Sequence, residues 1–348
     1  MPHIFQRYPR YILVLTVLIV GSFLYFQAPY SSHVHPATFV GLPGDPSLPS
    51  RVQRAERAYQ KVLEKRQELI QKHGPSPTQV VMFPPDQNPW PAYTVWDFFP
   101  PAFNCPHDLE RIGSLGDGGK WTCGLSRIAE KPDCIIYSFG MDWESAWEAS
   151  VLDNTEHCEI WGYDHQSKSF GRQVSHATFS KKHRTHFTSH VQLGPIDRHS
   201  RNDEPKLYTL STVMKVNGHS HIDILKIDIE GYEFDTLREI VQPYIDSGKP
   251  LPFGQLQIEL HVWNKKFADF LSWWETLEAA GLRPVMMEPN LVYINYNRQS
   301  GAELAEASYT FLNIKGKNIF ISDPEAASSP ETEADELDQQ FIRRGPQV

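Results

Sequence analysis

Between Cys134 and Ile314, short apolar runs of strand length alternate with amphipathic runs at helical spacing, and this alternation limits the fold more than any other feature of the chain. Strand-length runs occupy 134–139, 159–163, 222–229, 255–260, 283–287 and 309–314, with a weaker one at 190–193. The run at 222–229 is the strongest of them. Helical spacing fits 145–154, 210–216, 234–240 and 266–280, the last closed by Gly281. Strand and helix in repeated turn predict an α/β domain, a mainly parallel sheet with helices on both faces. The closing two strands have no helix between them, so the sheet is expected to end in an antiparallel edge hairpin.

Upstream, residues 11–28, from Tyr11 to Ala28, form an uncharged apolar run of about 18 residues, near the lower limit for spanning a bilayer. Arg7 and Arg10 precede it, and the next Lys or Arg is Arg51. By the positive-inside rule, residues 1–10 are a cytosolic tail and everything after Ala28 is luminal. This is a single transmembrane helix of the type II signal-anchor kind, in a secretory-pathway membrane of the Golgi or endoplasmic reticulum. A cleaved signal peptide is the alternative, although the run is long and its exit, Phe26-Gln27-Ala28, is a poor small-x-small site.

Residues 29–100 are then expected to be a stalk. Its first part is rich in Pro, Ser and Gly. Residues 51–73 carry helical spacing stopped by Gly74-Pro75, a stem helix through which chains could self-associate. A Pro-rich connection runs on to Pro101, with Trp90, Trp96, Phe98 and Phe99 expected to pack it onto the domain at 101–322. The acidic tail at 323–348 is expected to be disordered and contributes to the formal net charge of -9. No basic stripe suits nucleic acid, and Lys181, Lys182, His183 and Arg184 are expected in a solvated loop.

The four cysteines, Cys105, Cys123, Cys134 and Cys158, cluster at the front of the domain without the CxxC spacing of a zinc or redox site. An oxidising lumen would permit pairing. If Cys134 precedes the first strand and Cys158 the second, those neighbouring strand starts could be within bridging distance, leaving Cys105 with Cys123. Free buried thiols are the alternative.

In an open α/β sheet, ligands bind beyond the carboxyl ends of the strands, near the topological switch point. After the first strand, Gly140 in Ser138-Phe139-Gly140-Met141-Asp142 would let the backbone turn tightly beside a ligand. The second strand ends in Tyr163-Asp164, a carboxylate about 24 residues further on that is suited to the ribose hydroxyls of an adenosine cofactor. NAD would fit the same pair, but the glycines that cradle a dinucleotide's phosphates are missing. S-adenosylmethionine has no pyrophosphate and needs none.

The strand at 222–229 ends with Asp228 and Glu230 in alternation with apolar residues, so both are expected on one side of the strand mouth, where two carboxylates without partners would be costly. The next strand ends in Ile258-Glu259-Leu260-His261. His261, with an ordinary pKa of about 6.5, is a candidate base for a substrate hydroxyl, a satisfied core histidine being the alternative. Asp228 or Glu230 with Glu259 or His261 would also make an oxygen-rich divalent site, a lesser reading, and no metal is assigned. The segment Asp117-Gly118-Gly119-Lys120 carries a strong hairpin-turn signal.

The stretch Leu225-Lys226-Ile227-Asp228-Ile229-Glu230-Gly231-Tyr232-Glu233 resembles the signature of FkbM-type methyltransferases. With Gly116-Asp117-Gly118-Gly119-Lys120-Trp121-Thr122-Cys123, Tyr137-Ser138-Phe139-Gly140 and Tyr163-Asp164, the chain is similar over about 103–320 to membrane-anchored methyltransferase-like proteins of animals and fungi. The resemblance implies a Rossmann-like class I methyltransferase fold with seven strands and S-adenosylmethionine as cofactor. It also implies that Gly119 and Lys120 border the cofactor pocket beside Gly140 and Asp164, while Asp228, Glu230 and His261 are the candidate catalytic residues. The expected activity is methylation of an acceptor not identified by the sequence, such as a hydroxyl or carboxyl of a glycan or secreted protein. The rival readings are a catalytically inactive methyltransferase fold serving as a binding or scaffold module, and an NAD-dependent oxidoreductase.

Overall fold

The computed structural model describes residues 44–74, 76–80, 92–141, 143–177, 186–263, 265–296 and 305–323. The apolar run at 11–28 with its flanks, Trp90, the basic cluster at 181–184 and the tail beyond Asp323 lie outside the described residues. Among the described residues no helix is long and apolar enough to cross a membrane.

Helix α1, Leu48–His73, comes first, followed by an antiparallel hairpin of β1, Leu109–Ile112, and β2, Lys120–Cys123. The alternation then sets in with β3 (Ile135–Phe139), α2 (Ala146–Asn154), β4 (Glu159–Tyr163), α3 (Arg172–Ala177) and β5 (His186–Ser189). Two short strands, β6 (Gln192–Leu193) and β7 (Leu207–Tyr208), pair with each other and lead into α4, Leu210–Asn217. The second half runs β8 (Ile222–Ile227), α5 (Glu233–Ser247), β9 (Phe253–His261), α6 (Phe267–Ala280), β10 (Leu282–Pro289), α7 (Leu291–Tyr296) and β11 (Glu306–Asn313).

Seven strands form one sheet in the order β10-β11-β9-β8-β3-β4-β5. From β9 to β5 all neighbours are parallel, and the chain leaves β3 to one side for β4 and returns on the other as β8. That reversal is the switch point. All six residues of β8 are buried, as a strand covered by helices on both faces requires. Its side chains divide between the layers: Ile224 packs with Trp147, Val151 and Leu152 of α2, and Leu225 and Ile227 pack with Leu237 of α5 and Phe270 of α6.

Three expectations need correction. The closing pair does form an antiparallel edge, with β11 between β9 and the outermost β10, but the short helix α7 lies between the two strands, where none was expected. The side chains agree with this order: β11 is buried along nearly its whole length, whereas five of the eight residues of β10 are only partly buried. The weak strand expected at 190–193 forms only as β6, which pairs with β7 outside the main sheet, while the edge strand of the main sheet, β5, lies just upstream of it. The helix expected in a free stalk is packed against the domain by one face, burying Ala55, Tyr59, Arg66 and Ile70.

The cysteines pair as Cys105–Cys123 and Cys134–Cys158, with Cα separations of 5.8 and 4.4 Å. The second bridge joins the segments entering the parallel neighbours β3 and β4. Trp96, Phe98 and Phe99 are buried against α6, with the Phe99 ring 4.9 Å from both Phe270 and Trp274.

Glu278 on α6 anchors α1. Its carboxylate accepts from Arg66 Nη2 at 2.6 Å, from Trp274 Nε1 at 2.8 Å and from the Tyr59 hydroxyl, while Arg283 binds Glu56 at 2.8 Å. Arg66 is almost fully buried, so removing its partner leaves an uncompensated buried charge. Glu278→Ala is expected to lower the unfolding free energy by about 3 kcal/mol and to open α1 to proteolysis. Chemical denaturation and limited digestion of wild type and variant would measure both.

Candidate active site

The carboxyl ends of β3, β4, β8 and β9 open into a cavity of about 550 Å³. Its geometry begins with Gly140, which has φ +76° and donates its N–H to the Tyr163 carbonyl at 2.9 Å. A Cβ built there would lie 1.6 Å from the Asp228 carbonyl oxygen, so only glycine lets the β3 and β8 exits pass each other. Beneath them the buried Lys226 reaches Glu148 at 3.0 Å, and Ser138 Oγ and the Gly140 carbonyl at 3.4 Å each.

Along one wall the cavity is lined by Gly140, Met141, Tyr163 and Asp164. Asp164 is 7% exposed, and its Oδ1 accepts the backbone N–H groups of Gln166 and Ser167, both at 2.6 Å. These bonds fix the turn after β4 and hold the carboxylate at the cavity. Lys120 reaches the cavity from β2, but Gly119 does not line it: a Cβ there would run into the Arg111 guanidinium and the Ser114 carbonyl on the far side of the hairpin turn. Asp117 and Gly118 of the same hairpin turn line the cavity with Lys120.

At the other end, Asp228, Glu230 and His261 come together, with one potential ligand atom from each lying within 4.8 Å of the others. Glu230 is beyond the end of β8 with φ +53°, a left-handed conformation unusual for a residue other than glycine, and its side chain is 70% exposed. His261 is 3% exposed. Its Nδ1–H donates to the buried Glu233 carboxylate at 2.8 Å, which turns Nε2 toward Glu230, 3.9 Å away. Glu233 Oε1 also accepts the N–H of Gly231 at 3.0 Å and of Ile229 at 3.3 Å, so the turn after β8 and the imidazole are fixed by the same oxygen.

Charge is crowded here. Lys120 forms a buried ion pair with Glu259, donates to Ser308 Oγ at 2.8 Å and lies 3.9 Å from Asp228. Burial pushes the Glu259 carboxyl up, but the Lys120 charge and hydrogen bonds from Lys120 and Asn290 outweigh it and hold the group low. The opposite happens at Asp228, which burial and the Glu259 charge push up to about 7 against the pull of Lys120. Glu306 is likewise raised to about 7, chiefly by burial. For His261, burial acts downward, yet the hydrogen bond and charge of Glu233, with Asp228 and Glu259, carry it up to about 9. The expectation of an imidazole with its ordinary pKa is thereby corrected: at neutral pH it is an imidazolium.

Glu233, Glu306 and Lys226 were not among the candidate residues. Glu233 and Lys226 lie inside the quoted Leu225-to-Glu233 stretch, where a carboxylate at a helix start passes for a cap and a lysine in an apolar strand carries no sign of its partner. Glu306 arrives from β11, and no local pattern ties it to β9.

The family model Methyltransf_22, described as a methyltransferase domain, matches residues 54–298. The chain belongs to that family, and the match begins within α1. No curated protein sequence matches the chain. Among solved structures it is similar to the methyltransferase FkbM from Methylobacillus flagellatus KT, at 11% identity and a TM-score of 0.35, over 52% of this chain and 44% of that one. It is also similar to the StiE O-MT, at 10% identity and a TM-score of 0.30, over 62% and 76%. The chain thus spans less than half the length of the FkbM protein.

A histidine whose pKa rises on folding stabilises the fold fully below its unfolded value of about 6.5, and loses that contribution as pH climbs through about 9. The buried Glu233–His261 pair is therefore worth on the order of 3 kcal/mol at pH 6 and little above pH ~10. The melting temperature of wild type is expected to exceed that of His261→Gln at pH ~6 and to converge on it at alkaline pH, as thermal melts across the range would record.

Proposed function

We propose that this member of the methyltransferase-domain family takes its methyl group from S-adenosylmethionine and transfers it to a hydroxyl, on a glycan or a protein, in the lumen of the secretory pathway. The observation that carries the reading is that Gly140 and Asp164 share one cavity with Asp228, Glu230 and His261. The first pair, at the ends of adjacent parallel strands, suits an adenosine: a glycine whose backbone is free of a side chain, and a buried carboxylate for ribose hydroxyls. Among the described residues the cavity wall has no glycine-rich phosphate cradle, which a sulfonium donor does not need. Bound there, S-adenosylmethionine would supply an already activated methyl group, so the protein's task is alignment.

Asp228, Glu230 and His261 are assigned to the acceptor. Asp228, Glu230, Glu259 and Glu306 outnumber the cations Lys120, Lys226 and His261 on the cavity lining, and this excess of acidic groups favours a neutral hydroxyl over an ionised carboxyl group. Within the cluster the carboxylates can orient the hydroxyl and receive its proton, while Glu233 holds the His261 ring in one orientation.

The location is proposed on two grounds. Residues 11–28 with Arg7 and Arg10 before them fit a type II anchor, and two disulfides suit an oxidising compartment. Digestion by protease added outside sealed vesicles is expected to spare the catalytic domain.

Titration of the full chain with S-adenosylmethionine in a calorimeter is expected to give saturable binding, weakened at least about tenfold in Asp164→Ala. Absence of heat with wild type would turn the reading toward a binding module that has kept the fold and lost the donor.

A further inference from the structure

We infer that Asp228, Glu230 and His261 form a binding site for one divalent cation, with Glu306 as the carboxylate that closes it from β11. The site shares the cavity assigned above to the acceptor but does not depend on which methyl donor is used.

The first ground is the donor set. One ligand atom from each of Asp228, Glu230 and His261 lies within 4.8 Å of the other two, and Glu259, His261 and Glu306 form a second group with the same spread. His261 belongs to both, so the imidazole is the centre of the cluster. Its Nδ1 is committed to Glu233, a carboxylate itself held by two backbone N–H groups. Binding of the ring's far nitrogen to a buried carboxylate is the usual way in which a protein fixes a ligating histidine and aims the other nitrogen at a metal. Here that nitrogen, Nε2, faces Glu230 at 3.9 Å, too far for a hydrogen bond.

The second ground is independent of the trio. Glu306 is 5% exposed and lines the cavity, and among the described residues its carboxylate accepts no hydrogen bond and forms no ion pair. Asp228 is similar, having only Lys120 at 3.9 Å, and that ammonium is already bound to Glu259 and Ser308. Two acids facing one cavity without protein donors leave their oxygens to water or to a cation that joins them. Lys120 cannot serve both Asp228 and Glu306 while Glu259 holds it. The other lysine below the cavity, Lys226, is bound to Glu148.

One nitrogen with two or three carboxylate oxygens and room for water suits an ion such as Mn²⁺ rather than a thiolate-seeking one. The cation takes the place of the Nε2 proton, and that proton leaves to solvent.

The test uses the full chain, freed of metal with a chelator and titrated with MnCl₂, followed by calorimetry and by electron paramagnetic resonance. One Mn²⁺ per chain is expected, with electron spin-echo modulation from a directly bound ¹⁴N. Glu230→Gln, at an exposed position where the fold is not at risk, should weaken binding by about tenfold or more, and Asp228→Asn by at least as much. No saturable binding below ~1 mM, no ¹⁴N modulation, or unchanged affinity in both variants would overturn the inference. Titration with S-adenosylmethionine in the presence of chelator keeps the two readings apart. Donor binding without Mn²⁺ binding removes only the cation site, and the reverse outcome removes only the donor.

Discussion

The backbone contact between the exits of β3 and β8 is the constraint on which the site depends. Gly140 turns at φ +76° directly against the Asp228 carbonyl, and a methyl group at that position would overlap it. Because the two strands are parallel neighbours, this contact sets the distance between the wall that carries Asp164 and the end that carries Asp228. Lys226 supports the contact from below through the Gly140 carbonyl and Glu148, tying β8 to β3 and to α2. A residue in the middle of the strongest strand thus positions the turn at the mouth of its neighbour.

A second consequence concerns charge. Parallel strands deliver their last side chains to the same edge, so carboxylates ending β8 and β9 must meet there whatever chemistry they perform. The structure handles the crowding unequally. Glu259 is given Lys120, Asn290 and Ser308, and Glu233 is given His261 and two backbone donors. Asp228 and Glu306 receive no comparable donors, and their carboxyls are pushed up to about 7. Compensation thus goes to Glu259 and Glu233, while Asp228 and Glu306 on the same cavity are left to whatever enters it.

What the sequence made legible follows from how local each signal is. The strand at 222–229 and the helix at 266–280 are periodic over their own length, and they form as β8 and α6 with small changes at the ends. The pairing of Cys134 with Cys158 needs only adjacent parallel strands. Strand order is different, because whether β11 lies outside or inside β10 is decided by packing between distant segments, and the apolar run Tyr309-Thr310-Phe311-Leu312 shows only that it is well buried. The same holds at the site. Asp164 and Asp228 were legible as acids at strand ends, whereas Glu306 reaches the cluster only through its antiparallel register with His261.

His261 shows why residue type alone misleads at such a place. As an isolated imidazole it would titrate near neutrality, and burial by itself would keep it neutral. Glu233 reverses that outcome, being buried, close and already fixed by the N–H groups of Ile229 and Gly231. The oxygen that orients the ring is the same one that shapes the turn bearing Glu230. Changing that turn would therefore move Glu230 and release the imidazole together. The left-handed backbone at Glu230, the buried acid at Glu233 and the charged ring at His261 are one physical unit, joining the segment after β8, the start of α5 and the end of β9.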